Sequence, residues 1–135
     1  MADTMQFDLV SPERKLDSRA ATAVLIPGAE GDLTAMPGHS PVITTLRPGI
    51  VTVEGDQGEA RYVVTGGFAE VTPDAVSVLA ERSLPAGDLT QDAYAAMLAD
   101  ARKAQESATG EAADAAAKLL SDLMGMGQSL GLSSS

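Results

Sequence analysis

The chain has 135 residues, a formal net charge of −10, a single histidine, and neither cysteine nor tryptophan. That charge argues against nucleic-acid binding, which needs Lys and Arg to displace counterions from phosphate, and against direct adhesion to anionic lipid. Without cysteine there is no disulfide, thiol nucleophile or thiolate metal site, and the length supports one domain or one domain with a small appendage. A basic protein partner suits the charge, and so does solubility alone.

The N-terminus, MADTMQFDLV, passes from acidic residues straight into alternation, which is not the pattern of a signal peptide. No run approaches the ~18 apolar residues of a membrane span. A soluble, intracellular chain is expected.

Up to about residue 84 the apolar residues alternate with period two. Met5, Phe7 and Leu9 share one strand face. Ala21, Ala23 and Leu25 oppose Thr22, Val24 and Ile26. PVITTL, GIVTVEG, RYVVTGG, FAEVT and AVSVLAE follow as short strand-like runs bounded by Pro, Gly or Asp. Turn signals are Pro27-Gly28, Pro37-Gly38, Pro48-Gly49, Gly55-Asp56, Gly66-Gly67 and Pro73-Asp74. The fold class is therefore mainly β plus α. An N-terminal flattened β-sandwich over 1–86 is followed by a C-terminal antiparallel two-helix hairpin over 87–135.

In the hairpin, Asp88 is the expected N-cap of the first helix, paired with Gln91 in a capping-box-like arrangement. Ala93, Met97, Ala101, Ala104 and Ala108 make its stripe, and Gly110 stops it. A second helix starts near Glu111, with Ala113, Ala116, Ala117, Leu120 and Met124 on one side. Alanine seams bury little area, so at roughly 25 cal/mol per Å² the hairpin should hold weakly and depend on docking, or move. The glycine-containing tail GMGQSLGLSSS is expected to fray.

Little catalytic chemistry is on offer. One histidine cannot build a multi-His metal site. His39 beside Ser40 permits a Ser-His-Asp arrangement, but no strand-turn-helix nucleophile elbow accompanies it. Gly28, Gly31, Gly66 and Gly67 lack a following Walker lysine and read as turn glycines of positive φ. Glu30 and Asp32 flank Gly31 and suit general acid-base work, a cation, a contact patch or plain solvation. No cofactor is expected.

GAEGDLTAMPGHSPVITTLRPGIVTV, residues 28 to 53, resembles the signature stretch of the epsilon subunit of F-type ATP synthases. FDLVSPERKL, GGFAEVTPDAVSVLAE and DARKAQESA are similar to its first strand and turn, its last strands and part of its first helix. The resemblance implies a flattened sandwich with a helical hairpin, and a non-catalytic role in a proton-transporting ATP synthase. It implies a central-stalk rotor subunit that joins the gamma subunit to the c-ring and so couples proton flow to ATP synthesis. The resemblance places Ser11 of the first turn toward gamma, His39 and Thr44 toward gamma or the ring, and Glu30 and Asp32 toward the polar loop of the c-subunits. Met36, Pro37 and Pro41 add apolar packing. A place on the cytoplasmic face of the bacterial inner membrane follows, peripheral and held only through the complex.

Two departures limit the carry-over. Nucleotide-binding members have an Asp-x-x-Arg-Ala pattern, whereas here Asp92 is followed by Ala95 and Ala96, so no ATP binding is expected. Inhibitory members use a basic second helix against the catalytic alpha/beta hexamer. Here Lys118 is the only basic residue beyond Glu111, among Glu111, Asp114 and Asp122, and like charges would oppose inhibition by the hairpin. The alternative readings are a free-standing β-sandwich that binds a small ligand, with the hairpin as sensor, and a hydrolase built on His39 and Ser40.

Overall fold

The computed structural model describes residues 3–133. The chain divides into two compact units between Ala86 and Gly87. The first unit contains eight strands: β1 (Met5–Ser11), β2 (Arg14–Ala21), β3 (Ala23–Gly28), β4 (Gly31–Ala35), β5 (Val42–Thr45), β6 (Gly49–Gly55), β7 (Gly58–Val71) and β8 (Ala75–Pro85). They form the order β2-β1-β8-β7-β6-β3-β4, with β5 added beside β7. Among the described residues β1 and β8 are the one parallel pair, and the other paired strands are antiparallel.

Strand β7 changes partner part-way along its length. Strand β7 is continuous through Gly66 and Gly67, although that pair reads in the sequence as a turn between two strands. Both glycines take positive φ, 73° and 99°. A Cβ at Gly67 would stand 2.0 Å from the Leu79 carbonyl oxygen, so the backbones of β7 and β8 meet where no side chain fits. The first half of β7 pairs with β6 and the second half with β5. Leu46 bridges the gap, its amide donating to Gly67 O at 2.9 Å.

The core lies between the two halves. Met5, Phe7 and Leu9 from β1 are buried as the alternation requires, with Val24, Ile26, Val51, Val53, Val64, Val71, Val76 and Val78. The 21–26 run needs correction. A bend at Thr22 separates β2 from β3, so Ala21, Ala23, Val24 and Ile26 are all buried and Leu25 faces out. Strand β2 at one sheet edge is mostly polar and period two alone does not reveal it, whereas β4 at the other edge alternates, with Leu33 and Ala35 inward and Asp32 and Thr34 exposed. Strands β2 and β7, not paired to each other, are tied by side chains. Tyr62 Oη donates to Asp17 Oδ2 at 2.7 Å, and Arg19 Nε approaches the same oxygen at 2.9 Å. Burial first, then the Asp17 carboxylate, raises the Tyr62 phenol above its ordinary range.

A short 3₁₀ turn, Ala86–Asp88, falls at the division, and the second unit contains α1 (Gln91–Ser107) and α2 (Glu111–Ser129). The cap of α1 is Thr90, whose hydroxyl accepts from Ala93 N at 3.1 Å; Asp88 lies in the 3₁₀ turn and does not cap. Extended φ and ψ at Thr90 let its side chain reach the third amide. Gly110, with φ 62°, caps the start of α2 instead of ending α1, which stops at Ser107. The buried positions are Tyr94, Leu98 and Ala101 on α1 and Leu123, Met126 and Gly127 on α2. Of the expected alanine stripe on α1 only Ala101 is buried; on α2 Ala117 and Met124 are exposed, and Ala113, Ala116 and Leu120 are half-buried. Larger side chains one position away take the inner face, because they remove more apolar area from water.

The tail that the sequence reads as fraying starts out helical. Helix α2 continues through Gly125 and Gly127 to Ser129, and Gly131 ends it at φ 75°. Ser134 and Ser135 lie outside the described residues, as do Met1 and Ala2. Among the described residues no helix is long and apolar enough to cross a membrane.

Candidate interface

The expected interface residues divide between two places on the sandwich. Met36, Pro37, His39 and Pro41 sit in the loop from β4 to β5. The His39 amide donates to Met36 O at 3.0 Å, and the Gly38 amide donates to Pro73 O at 2.9 Å, which moors the loop to the β7–β8 turn. Gly38 takes φ 88°. Met36 is 54% exposed at the rim. His39 is half-buried and directs Nδ1 at the Ser40 carbonyl oxygen, 2.6 Å away. That partner is a backbone acceptor, where a nucleophile's base would need a carboxylate to orient it.

Glu30 and Asp32 lie at the other end of β4, about 13 Å of extended chain from Met36. Glu30 is exposed in the β3–β4 turn. Asp32 is engaged within its own chain: Arg47 binds the Asp32 carboxylate through Nη2 and the Gly28 carbonyl through Nη1. The acidic loop is thereby partly neutralised from inside. Gly28 serves a close approach rather than a positive φ, because a Cβ there would stand 2.8 Å from Gly31 O and 3.1 Å from Thr44 Oγ1. Thr44 is half-buried on that side of β5, and its hydroxyl donates to Thr45 O at 3.1 Å. Ile43, next to it, is 67% exposed.

Ser11 closes the β1–β2 turn, its hydroxyl donating to Arg14 O at 3.3 Å. It borders an open, apolar groove of about 370 Å³ lined by Val10, Pro12, Gly67, Phe68, Leu79 and Ala80 among others. Strand register explains the groove. Thr45, Phe68, Leu79 and Val10 stand opposite one another in one row across β5, β7, β8 and β1, on the face turned away from the core. Phe68 and Leu79 remain 42% and 43% exposed. The signal was present in the sequence. In FAEV and VSVLAE the buried partners are Ala69, Val76, Val78 and Ala80, which assigns Phe68 and Leu79 to the outer face. A large apolar residue on the polar phase of a strand marks a surface to be covered.

Among the described residues no group of three His, Asp or Glu side chains is placed to hold a metal ion.

Residues 4–86 match the family described as ATP synthase, Delta/Epsilon chain, beta-sandwich domain. The chain belongs to this family. It is 59% identical to the ATP synthase epsilon chain of Rhodobacter capsulatus, over 98% of this chain and 100% of that one. The epsilon chain of Paracoccus denitrificans is 53% identical, over 98% of this chain and 94% of the relative. A chain in the cryo-EM structure of the Euglena gracilis mitochondrial ATP synthase (OSCP/F1/c-ring in rotational state 1) shares the fold. Its TM-score is 0.75 at 23% identity, covering 94% of this chain and 81% of the other. The match to epsilon chains spans both the sandwich and the hairpin.

Proposed function

We propose that this chain is the epsilon subunit of the central stalk, joining gamma to the c-ring and turning with them as proton flow drives ATP synthesis. The observation that carries the reading is the outward row of exposed Phe68 and Leu79 with half-buried Val10, bordered by Ser11, an apolar strip on a chain with net charge −10. We assign this strip to gamma. The stiff loop of Met36, Pro37, His39 and Pro41 and the turn bearing Glu30 and Asp32 are assigned to the rotor contacts at the two ends of β4, and Thr44 supports the turn from within. A joint under torque needs area, and a standard interface of ~1,600 Å² spreads shear that one ion pair cannot bear.

The subunit is peripheral at the cytoplasmic face of a bacterial inner membrane and reaches the membrane only through the complex. A role for the hairpin in inhibiting hydrolysis is not supported by its charges, since Lys118 is already paired with Asp122 at 3.0 Å. The test is pull-down of gamma and the c-ring by tagged chain, with ATP-driven proton pumping in reconstituted vesicles. Leu79→Asp should abolish capture of gamma, and deleting 36–41 should abolish pumping. Retention of both activities by these variants would sink the assignment.

A further inference from the structure

The open end of the hairpin carries contacts that an alanine seam does not require. Gln91, the first residue of α1, spends its whole side-chain amide on one backbone position. Nε2 donates to Ser133 O at 2.7 Å, and Oε1 accepts from Ser133 N at 2.8 Å. One turn further along, Tyr94 is fully buried, and its hydroxyl donates to Leu123 O at 2.9 Å. A Cβ at Gly127 would stand 2.1 Å from the Cζ and Oη atoms of this phenol, so the ring occupies the space a side chain would fill.

The turn that ends α2 completes the arrangement. Leu132 N donates to Gly127 O at 2.8 Å and Gly131 N to Gln128 O at 3.1 Å. With Gly131 at φ 75°, this is a Schellman turn. It reverses the chain after the helix and presents Ser133 to Gln91.

We propose that residues 127–133 form a clasp that holds the hairpin closed, with Gln91 and Tyr94 as the catches on α1. The other end of the hairpin is joined by the short connection between α1 and α2, so the clasp governs whether α2 separates from α1. Separation breaks both Gln91 bonds and the Tyr94 bond and uncovers the phenol. Because Gln91 and Tyr94 lie one turn apart on α1, these contacts are lost together. The two glycines of α2, which lower its intrinsic helicity, include the one that admits Tyr94.

Amide hydrogen exchange on the full chain tests the clasp. The wild-type chain should protect amides over 124–132. Gln91→Ala, at an exposed site, and Tyr94→Phe, which keeps the ring, should each speed exchange there by about tenfold while leaving the sandwich strands unchanged. Unchanged exchange in either variant, or an unprotected segment in the wild-type chain, would overturn the proposal.

Discussion

In the sandwich, apolar residues meet across strands far apart in sequence: Phe7 of β1 stands beside Val76 of β8, and Val24 of β3 opposite Val53 of β6. In the hairpin, the inner side chains are few and concentrated. Tyr94 alone contacts two consecutive turns of α2, at Leu123 and Gly127. The first region spreads its stability over many small aliphatic contacts, so one lost methyl group is shared among neighbours. The second depends on individual groups, a phenol, an amide and a hydroxyl, each with one partner. Single substitutions should therefore act differently in the two regions, with backbone geometry decisive in the first and single hydrogen bonds in the second.

The largest effect is expected at the bend of β7. Gly67→Ala combines a positive φ with a Cβ 2.0 Å from Leu79 O. It should destabilise the sandwich by at least about 2 kcal/mol in urea unfolding. A wild-type midpoint would mean that the bend relaxes freely. Next is the cap of α1. Thr90→Ala should cost about 1 kcal/mol, whereas Asp88→Ala should leave thermal unfolding nearly unchanged; the reverse order would restore Asp88 as the cap.

The two tyrosines, one in each region, extend the comparison to pH. Burial raises the phenols of both Tyr62 and Tyr94, and at Tyr94 the positive charge of Arg102 opposes the rise. A raised phenol pKa means that the folded chain keeps its proton longer than the unfolded chain. This stability is complete below the ordinary tyrosine value of about 10 and is lost as pH rises through the folded-state values. Phenolate absorbance in Tyr62→Phe and Tyr94→Phe variants should show the remaining tyrosine titrating above that ordinary value. Normal titration of either would remove the burial argument for its region. The smallest effect is expected at Asp32. Asp32→Lys breaks the pair with Arg47 and should cost only ~0.2–1 kcal/mol, since Asp32 is exposed. Its effect on proton pumping should also be mild, and complete uncoupling would show that its charge carries the rotor contact.

Much of this architecture was legible in residue order. Alternation at Met5, Phe7 and Leu9 and the change of period after residue 84 specify strands followed by helices, because side-chain periodicity is a property of local backbone geometry. The signature around His39 carried the family resemblance. The edge strand β2 was not legible, since its run RKLDSRAA is mostly polar and an edge strand can be held by backbone pairing, here to β1. The pairing of Asp32 with Arg47 was also hidden, because it joins side chains that only the β3–β4 turn and the end of β5 bring together.

By itself, then, the amino-acid order determined the element types, the inward face of β1 and the family, all of which rest on local periodicity or contiguous motifs. Only the tertiary structure decided that Gly66 and Gly67 bend one strand rather than end it. Only the tertiary structure aligned Phe68, Leu79 and Val10 in one outward row, and it seated Tyr94 rather than an alanine stripe against α2. Those outcomes depend on which distant backbones approach one another, and strand register and helix rotation are settled by the packing of the whole unit.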